Sequence, residues 1–396
     1  MVRRTPVQLL MFDLDDGVLH GRLAATRERH LEYASRLGGL SVIIHSPIYK
    51  GASTIQVSDD VTYYVSDART RLGFVVDAYR IAGDLCTRGD LNLIVAQEPF
   101  LCGFVGSCLR RRFGVPLIVD LHAEFFAATS GWRRIRLRNR LLGPVGLWFL
   151  RSADAIRAVS ASIRQTLLDR GFPADKIFIA PVAVTRAVME RARIAESREE
   201  SLQAPFRLLF AGRLVEQKNI PTLLEAARLL ADRSRQFRLV IVGDGPLRES
   251  LRRKVKVLGL QSYVEFLGWQ SQSQVAEHYE TSSVFVLSST FEGTPLVLME
   301  CSLHGLPAVT TAVDGCSEVV IHGETGLVVR SGRSDELADA IEWLMDHPYE
   351  RQLFSERARA RAARMFDRDR AISDLVERWH LVAQNNACRA YIQRSS

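Results

Sequence analysis

Cysteine is scarce. The 396 residues include only six, Cys86, Cys102, Cys108, Cys301, Cys316 and Cys388, and no two of them form a CxxC pair. Histidines do not gather near them at zinc-site spacing, so neither a structural zinc module nor a redox dithiol is written into the chain. They read as reduced cytosolic thiols, several of them inside apolar segments. Long apolar runs are missing too. Arg3 and Arg4 are followed by a short apolar stretch that stops at Asp13, too short for a signal peptide and better read as a first strand. Leu141 to Leu150 is apolar but broken by Gly143, Pro144 and Gly146, so no segment is expected to span a bilayer. No low-complexity tract interrupts what is otherwise the composition of a globular protein. Acid is absent from one stretch. None lies between Glu124 and Asp154, while Arg133, Arg134, Arg136, Arg138, Arg140 and Arg151 do.

A chain of 396 residues is long for one core and implies two domains. The net charge is +7, mostly from arginine, and Arg110, Arg111 and Arg112 form a second basic run. The segment Trp132 to Phe149 carries arginines with Trp132 and Trp148. Two readings fit it: an anionic membrane surface, to which each near-surface charge adds roughly 1 kcal/mol, or a solvated helical face with its apolar side packed inward. No nucleic-acid recognition motif accompanies the arginines, so nucleic acid is not expected as a partner. The expected location is cytoplasmic, with attachment at the inner face of a membrane as the alternative.

Short apolar runs alternate with helical patterns. Candidate strands in the first half are Gln8–Phe12, Ser41–His45, Leu93–Ala96, Pro116–Leu121, Ala155–Val159 and Ile177–Ile179, with helices such as Thr26–Leu37 and Arg71–Cys86 between them. The second half repeats the scheme with Arg207–Ala211, Arg238–Val242, Val264–Leu267, Val284–Leu287 and Ala308–Thr310, and turns helical from Ser334. Continuous apolar strands separated by helices argue for parallel sheets covered on both faces, an α/β class. The charged stretch Arg191 to Glu200 reads as the linker.

The most informative stretch is Phe291-Glu292-Gly293-Thr294-Pro295-Leu296-Val297-Leu298-Met299-Glu300, two carboxylates eight positions apart around a Gly-Thr-Pro turn. Following the strand Val284–Leu287, it places Glu292 at a strand end and Glu300 two turns into a helix, so both can face one cleft. The Gly293-Thr294-Pro295 segment opens that helix, where free backbone N–H groups favour an anion. On spacing alone, one acid complementing a helix dipole and a second on its surface would explain the pair equally well.

The stretch resembles the E-x7-E motif of glycosyltransferase family 4, the "glycosyl transferases group 1" with the GT-B fold. Its flanks are similar to that family in order and spacing. Upstream stand Leu208-Leu209-Phe210-Ala211-Gly212-Arg213-Leu214 and Glu216-Gln217-Lys218-Asn219. Downstream stand Gly305-Leu306-Pro307-Ala308-Val309, Asp314-Gly315-Cys316-Ser317-Glu318-Val319-Val320 and His322-Gly323-Glu324-Thr325-Gly326-Leu327-Val328-Val329. The resemblance covers most of residues 206 to 330 well and the N-terminal half loosely.

The resemblance implies two Rossmann-like domains with parallel sheets facing a central cleft. Residues 1–195 would form an acceptor-side domain and residues 200–367 a nucleotide-sugar-binding domain, with a last helix, 368–396, packing back on the first. It implies a retaining transfer of a hexose-type sugar from a nucleoside diphosphate, of UDP or GDP type, to a hydroxyl of a glycan or lipid-linked acceptor. Arg213 and Lys218, with Thr294, Pro295 and Leu296, would hold the donor diphosphate. Glu300 would bind the ribose, Glu292 would orient the donor sugar, and His122, at the end of Pro116–Leu121, would point at that sugar. The loops Gly17, Gly21, Gly212, Gly243, Gly245 and Gly293 would line the cleft. No metal and no cofactor are expected, because two cations and helix N-termini can neutralise a pyrophosphate leaving group.

Some of these positions also carry plainer readings. Gly243-Asp244-Gly245-Pro246 fails as a dinucleotide fingerprint because its third glycine position is Arg248, and a structural turn explains it. The loop Asp13-Leu14-Asp15-Asp16-Gly17 departs from the Gly-Gly turn usual in the family, which leaves the acceptor open. Its superficial likeness to a DxDG phosphatase loop has one residue too many and lacks a later paired-acid motif. A nucleotide-sugar epimerase or phosphorylase, or a non-catalytic scaffold, would use the same fold.

Overall fold

The computed structural model describes residues 6–20, 24–49, 53–123, 126, 133–194 and 206–394. The chain divides into two compact units, 1–181 with 369–396, and 182–368.

The first unit holds eight strands: β1 (Val7–Asp13), β2 (Gly38–His45), β3 (Thr54–Ser58), β4 (Val61–Ser66), β5 (Leu93–Ala96), β6 (Leu117–Leu121), β7 (Ala155–Ala158) and β8 (Ile177–Ile179). Their order in the sheet is β3-β4-β2-β1-β5-β6-β7-β8, and every pairing except β3 with β4 is parallel. Leu93–Ala96 and Leu117–Leu121 are buried throughout, as expected of central strands covered by helices on both faces. The helices are α1 (Ala24–Leu37), α2 (Arg71–Arg88), α3 (Leu101–Phe113), α4 (Arg133–Ser152) and α5 (Ala161–Asp169). Thr70 caps α2 through the N–H of Gly73, and Gly89 ends it in the left-handed region at φ 78°.

The second unit opens with α6 (Arg186–Ile194). Its sheet consists of β9 (Phe206–Ala211), β10 (Phe237–Val242), β11 (Val264–Gly268), β12 (Val284–Leu287), β13 (Ala308–Thr311) and β14 (Gly326–Val329). The order is β11-β10-β9-β12-β13-β14, parallel throughout. The helices that follow α6 are α7 (Ile220–Asp232), α8 (Arg248–Val257), α9 (Gln272–Thr281), α10 (Leu296–Leu303), α11 (Asp314–Val319), α12 (Ser334–Asp346) and α13 (Pro348–Met365). The chain then returns to the first unit as α14 (Arg368–Arg394). There Trp379 is fully buried and meets the Tyr33 ring of α1 edge-on at 5.0 Å, and Arg36 donates to Ser373 Oγ at 2.7 Å.

The expected α/β class and parallel sheets are present, with three local corrections. The hairpin β3–β4 was not expected. Its first strand alternates exposed and half-buried residues at the sheet edge, so it lacks the apolar run that marks the other strands. The strand β14 was read only as a motif block. The stretch Leu141–Leu150, with its internal Pro144, lies within α4. Finally, the expected linker begins too early. Residues up to Ile194 form α6, whose Val188 and Ala192 belong to the second core, and Arg191 pairs with Glu280 of α9 at 2.8 Å. The first unit therefore ends at Pro181. Residues 195–200 of that linker lie outside the described residues.

One buried histidine couples this fold to pH. His30 of α1 is 6% exposed, and its Nδ1 lies 2.9 Å from the Tyr63 hydroxyl of β4. Burial, aided by the charge on Arg29, lowers its pKa from 6.5 to about 3. The neutral ring is the folded form. Its stabilisation is complete above 6.5 and is lost as pH falls from 6.5 towards 3. Urea titrations at pH 7, 6, 5 and 4 should show that loss at up to about 1.4 kcal/mol per pH unit. His30→Leu should reduce the slope and leave the part due to His122, whose pKa burial also lowers; an unchanged slope in the variant would remove His30 as a source.

Candidate functional site

In an open parallel sheet, ligands bind beyond the C-terminal strand ends at the point where strand order reverses. In the second unit that point lies between β9 and β12, and the loops after these two strands are bonded to each other. The loop after β9 closes a short 3-10 turn at Glu216–Lys218 and enters α7 through Asn219, in the left-handed region at φ 44°. Thr290 N–H donates to Gln217 O at 2.9 Å, Ser288 Oγ donates to Lys218 O at 2.9 Å, and Gln217 Nε2 donates to Phe291 O at 2.9 Å. On this frame Lys218 Nζ meets Glu292 Oε1 at 2.5 Å, and Ser289 Oγ donates to the same oxygen at 2.6 Å. Gln217 Nε2 reaches the other oxygen at 3.5 Å. Glu292 is 5% exposed, so a carboxylate is held in a largely dry position by a cation, a hydroxyl and an amide.

Glu300 stands in the second turn of α10, where its Oε2 accepts from the Tyr279 hydroxyl of α9 at 3.0 Å. Burial and this carboxylate push the phenol pKa well above its ordinary value, so Tyr279 stays a donor. The helix opens at Pro295, which has no side-chain cap, and Leu296 N–H closes a turn onto Thr294 O. Gly293 is enclosed: a Cβ on Gly315 of α11 would lie 1.9 Å from its carbonyl oxygen.

The glycines after β9 and β10 form a backbone contact. Gly212 and Gly243 adopt φ 154° and 128°, and a Cβ on Gly243 would fall 1.9 Å from Gly212 O. Gly245 packs on Leu214, where a Cβ would fall 2.6 Å from the carbonyl oxygen, and Leu214 N–H donates to Asp244 O at 2.9 Å. These residues form the structural turn. Arg213 is exposed beside them, whereas Lys218 is half-buried.

In the first unit the reversal lies between β1 and β5. Asp13 ends β1, and its Oδ1 accepts from Asp15 N–H at 2.9 Å. Burial raises its pKa to about 6 against the opposing effect of that N–H. Gly17 is buried in a 3-10 turn, its N–H donating to Asp15 Oδ1 at 2.9 Å; Gly21 lies outside the described residues. His122 follows β6, with Nε2 at 2.8 Å from Gln97 Oε1. About a third of its side chain reaches solvent. Its surroundings at the strand ends still desolvate the ring and, with the charges on Arg157 and Arg29, hold its pKa well below the ordinary value. Beneath it Asp120, fully buried, accepts from Arg157 Nη1 at 2.8 Å, and burial pushes that carboxyl up.

The residues expected from the sequence thus group by unit. Lys218 and Glu292 come together directly, and Glu300 has a separate partner. Gln217, Ser289 and Tyr279 were not singled out. Gln217 lies inside the motif block and Ser289 two residues past the strand, but nothing local marks Tyr279. Among the described residues no group of three or more His, Cys, Asp or Glu side chains is placed to hold a metal ion.

Comparisons with known proteins bear on the family and the fold. The family model described as "Glycosyl transferases group 1" matches residues 193–361, and that of a "Glycosyl transferase 4-like domain" matches residues 27–183. An alpha-D-kanosaminyltransferase of Streptomyces kanamyceticus is 30% identical over 265 residues, 64% of this chain and 68% of that protein. Sucrose-phosphate synthase from Thermosynechococcus elongatus superposes with a TM-score of 0.74 at 18% identity, over 98% of this chain and 100% of that one. Anabaena HepE in complex with UDP and glucose superposes with a TM-score of 0.71 at 20% identity, over 94% and 98%. With its two Rossmann-like units, the chain belongs to the glycosyl transferases group 1, family 4 glycosyltransferases of GT-B fold.

Proposed function

We propose that the protein is a retaining glycosyltransferase that moves a hexose-type sugar from a nucleoside diphosphate to a hydroxyl of a glycan or lipid-linked acceptor in polysaccharide or glycoconjugate biosynthesis. The observation that carries this reading is the Lys218–Glu292 pair, set with Ser289 at the strand-order reversal of the second sheet. The solved relative that holds UDP and glucose supports a UDP-hexose donor. Lys218 and Arg213, with the start of α10 at Thr294, Pro295 and Leu296, bind the diphosphate. Glu300 takes the ribose hydroxyls. On donor binding Lys218 shares its charge between Glu292 and the phosphates.

In this reading the bond from the anomeric carbon to the diphosphate oxygen breaks first. The departing oxygen takes the proton of the incoming acceptor hydroxyl, which attacks on the same face. Glu292 orients the sugar hydroxyls and stabilises positive charge at the anomeric carbon. The chain supplies cations and backbone dipoles where charge develops, so transfer is expected to proceed without added metal.

Thermal melts with UDP, GDP, ADP and their sugar conjugates, without metal, test the donor site. A nucleotide at about 100 times its Kd should stabilise the fold by roughly 2.7 kcal/mol, and Lys218→Ala should lose that shift. No shift with any nucleotide would overturn the reading.

The membrane reading also acquires a physical basis. Among the described residues no helix is long and apolar enough to cross a membrane. On α4, however, Trp148 is 48% and Val145 46% exposed, and the Arg111 guanidinium lies 5.0 Å over the Trp148 ring. Trp132 and the side chains of residues 133–142 lie outside the described residues. We expect sedimentation with vesicles of anionic lipid at low salt, weakened several-fold by Trp148→Ala. A protein that stays in the supernatant would refute membrane attachment.

A further inference from the structure

We propose that Gln97 is a positioning residue: its amide oxygen holds His122 in the Nε2–H tautomer, leaving Nδ1 to accept a hydrogen bond from a substrate hydroxyl. The inference rests on the glycosyl-transfer reading for the identity of that hydroxyl, but not for the tautomer.

The argument is one of donors and acceptors. Gln97 Oε1 lies 2.8 Å from His122 Nε2. An amide oxygen only accepts, so Nε2 carries the proton. A second proton on Nδ1 would make the ring cationic beside the guanidiniums of Arg157 and Arg29, which oppose it together with desolvation. The carboxylate that would favour the cation, Asp120, is 3.8 Å from Nε2, and its near oxygen is already bonded to Arg157 at 2.8 Å. Glu98, the other acid beside β5, spends its oxygens on the N–H groups of Phe100 at 2.9 Å and Cys102 at 2.5 Å. A neutral ring with Nε2 committed to Gln97 offers Nδ1 as an acceptor.

The neighbouring strand end points to the same ligand chemistry. Phe12 of β1 pairs with Ala96 of β5, so Asp13 and Gln97 end adjacent strands at one level. Asp13 contributes a second acceptor, with Arg29 the cation that acts on it. A row of acceptors that includes a carboxylate suits a donor-rich ligand, the hydroxyls of a sugar, and disfavours a phosphate. The first unit therefore reads sugar hydroxyls at this place.

The test is long-range 1H–15N correlation on the 15N-labelled full chain at pH 7.5, with the His122 signals identified by their loss in His122→Gln. The expected result is a single Nε2–H tautomer in the wild type that does not titrate down to pH 5.5. In Gln97→Leu that single tautomer should give way to a mixture. In Gln97→Glu the ring should gain a proton within pH 6 to 8, and kcat should fall on the acid side while KM for the donor changes less than twofold. An Nδ1–H tautomer in the wild type, a reading that needs no variant to fold, would overturn the inference. So would an unchanged ring in a folded Gln97→Leu. A locked Nε2–H tautomer in a protein that transfers no sugar would leave Gln97's role standing and remove the glycosyl-transfer reading instead.

Discussion

Lys218→Ala and Glu292→Gln should each lower kcat/KM for sugar transfer about 10²–10³-fold, the range seen when one preorganised charge-stabilising group is removed. The two variants should differ in stability. Lys218→Ala strands the Glu292 carboxylate at 5% exposure with only Ser289 and Gln217 to satisfy it. Losing a hydrogen bond to a buried charged group costs about 1.5–3 kcal/mol, which urea denaturation would detect. Glu292→Gln keeps the shape and leaves the half-buried lysine able to turn towards solvent, so its loss should be smaller. The double variant Lys218→Met with Glu292→Gln removes both charges and should recover part of the stability, while transfer stays lost. That combination separates a folding defect from a catalytic one. Near-native transfer in either folded single variant would remove the pair from the active site.

Gly243→Ala should be the most destabilising small substitution in the second unit. The new methyl would fall 1.9 Å from the Gly212 carbonyl oxygen, a backbone atom that cannot swing aside, and its φ of 128° is one that side chains disfavour. Overpacking of this kind costs about 1–3 kcal/mol, and the conformational penalty adds roughly 1–2 kcal/mol. For a unit of this size, about 3 kcal/mol corresponds to a fall in Tm of roughly 6–12 °C. Gly212 precedes Arg213 and the turn carrying Lys218, so the strain reaches the proposed phosphate site through the loop itself. Calorimetry measures the first effect and nucleotide-induced stabilisation the second. A variant as stable as wild type would show that the two loops separate without cost.

The alternation of apolar strands and helices was legible in the chain because it is local. A parallel strand buried on both faces must be a continuous apolar run, and Leu93–Ala96 and Val284–Leu287, buried throughout, have the bounds read from the sequence. Where burial is one-sided or partial, that signal fades. The edge hairpin β3–β4 carries no such run, and the end of the helix Arg186–Ile194, from Arg191 on, reads as linker because its charged face conceals the few residues that anchor it.

The candidate site divides in the same way. Its individual groups stand in the sequence, in motif blocks whose order points to the family. Their partners do not. Glu292 meets Lys218 across 74 positions, Tyr279 reaches Glu300 across 21, and Gln97 reaches His122 across 25. Each of these bonds joins loops or helices that only the sheet brings together, at strand ends placed by pairing between residues far apart in the chain. By itself the sequence determined the elements, the family and the residue types available for chemistry. The tertiary structure decided which carboxylate shares a lysine, which histidine nitrogen holds its proton, and where one unit ends and the next begins, because side-chain pairing depends on distances in space that no local pattern encodes.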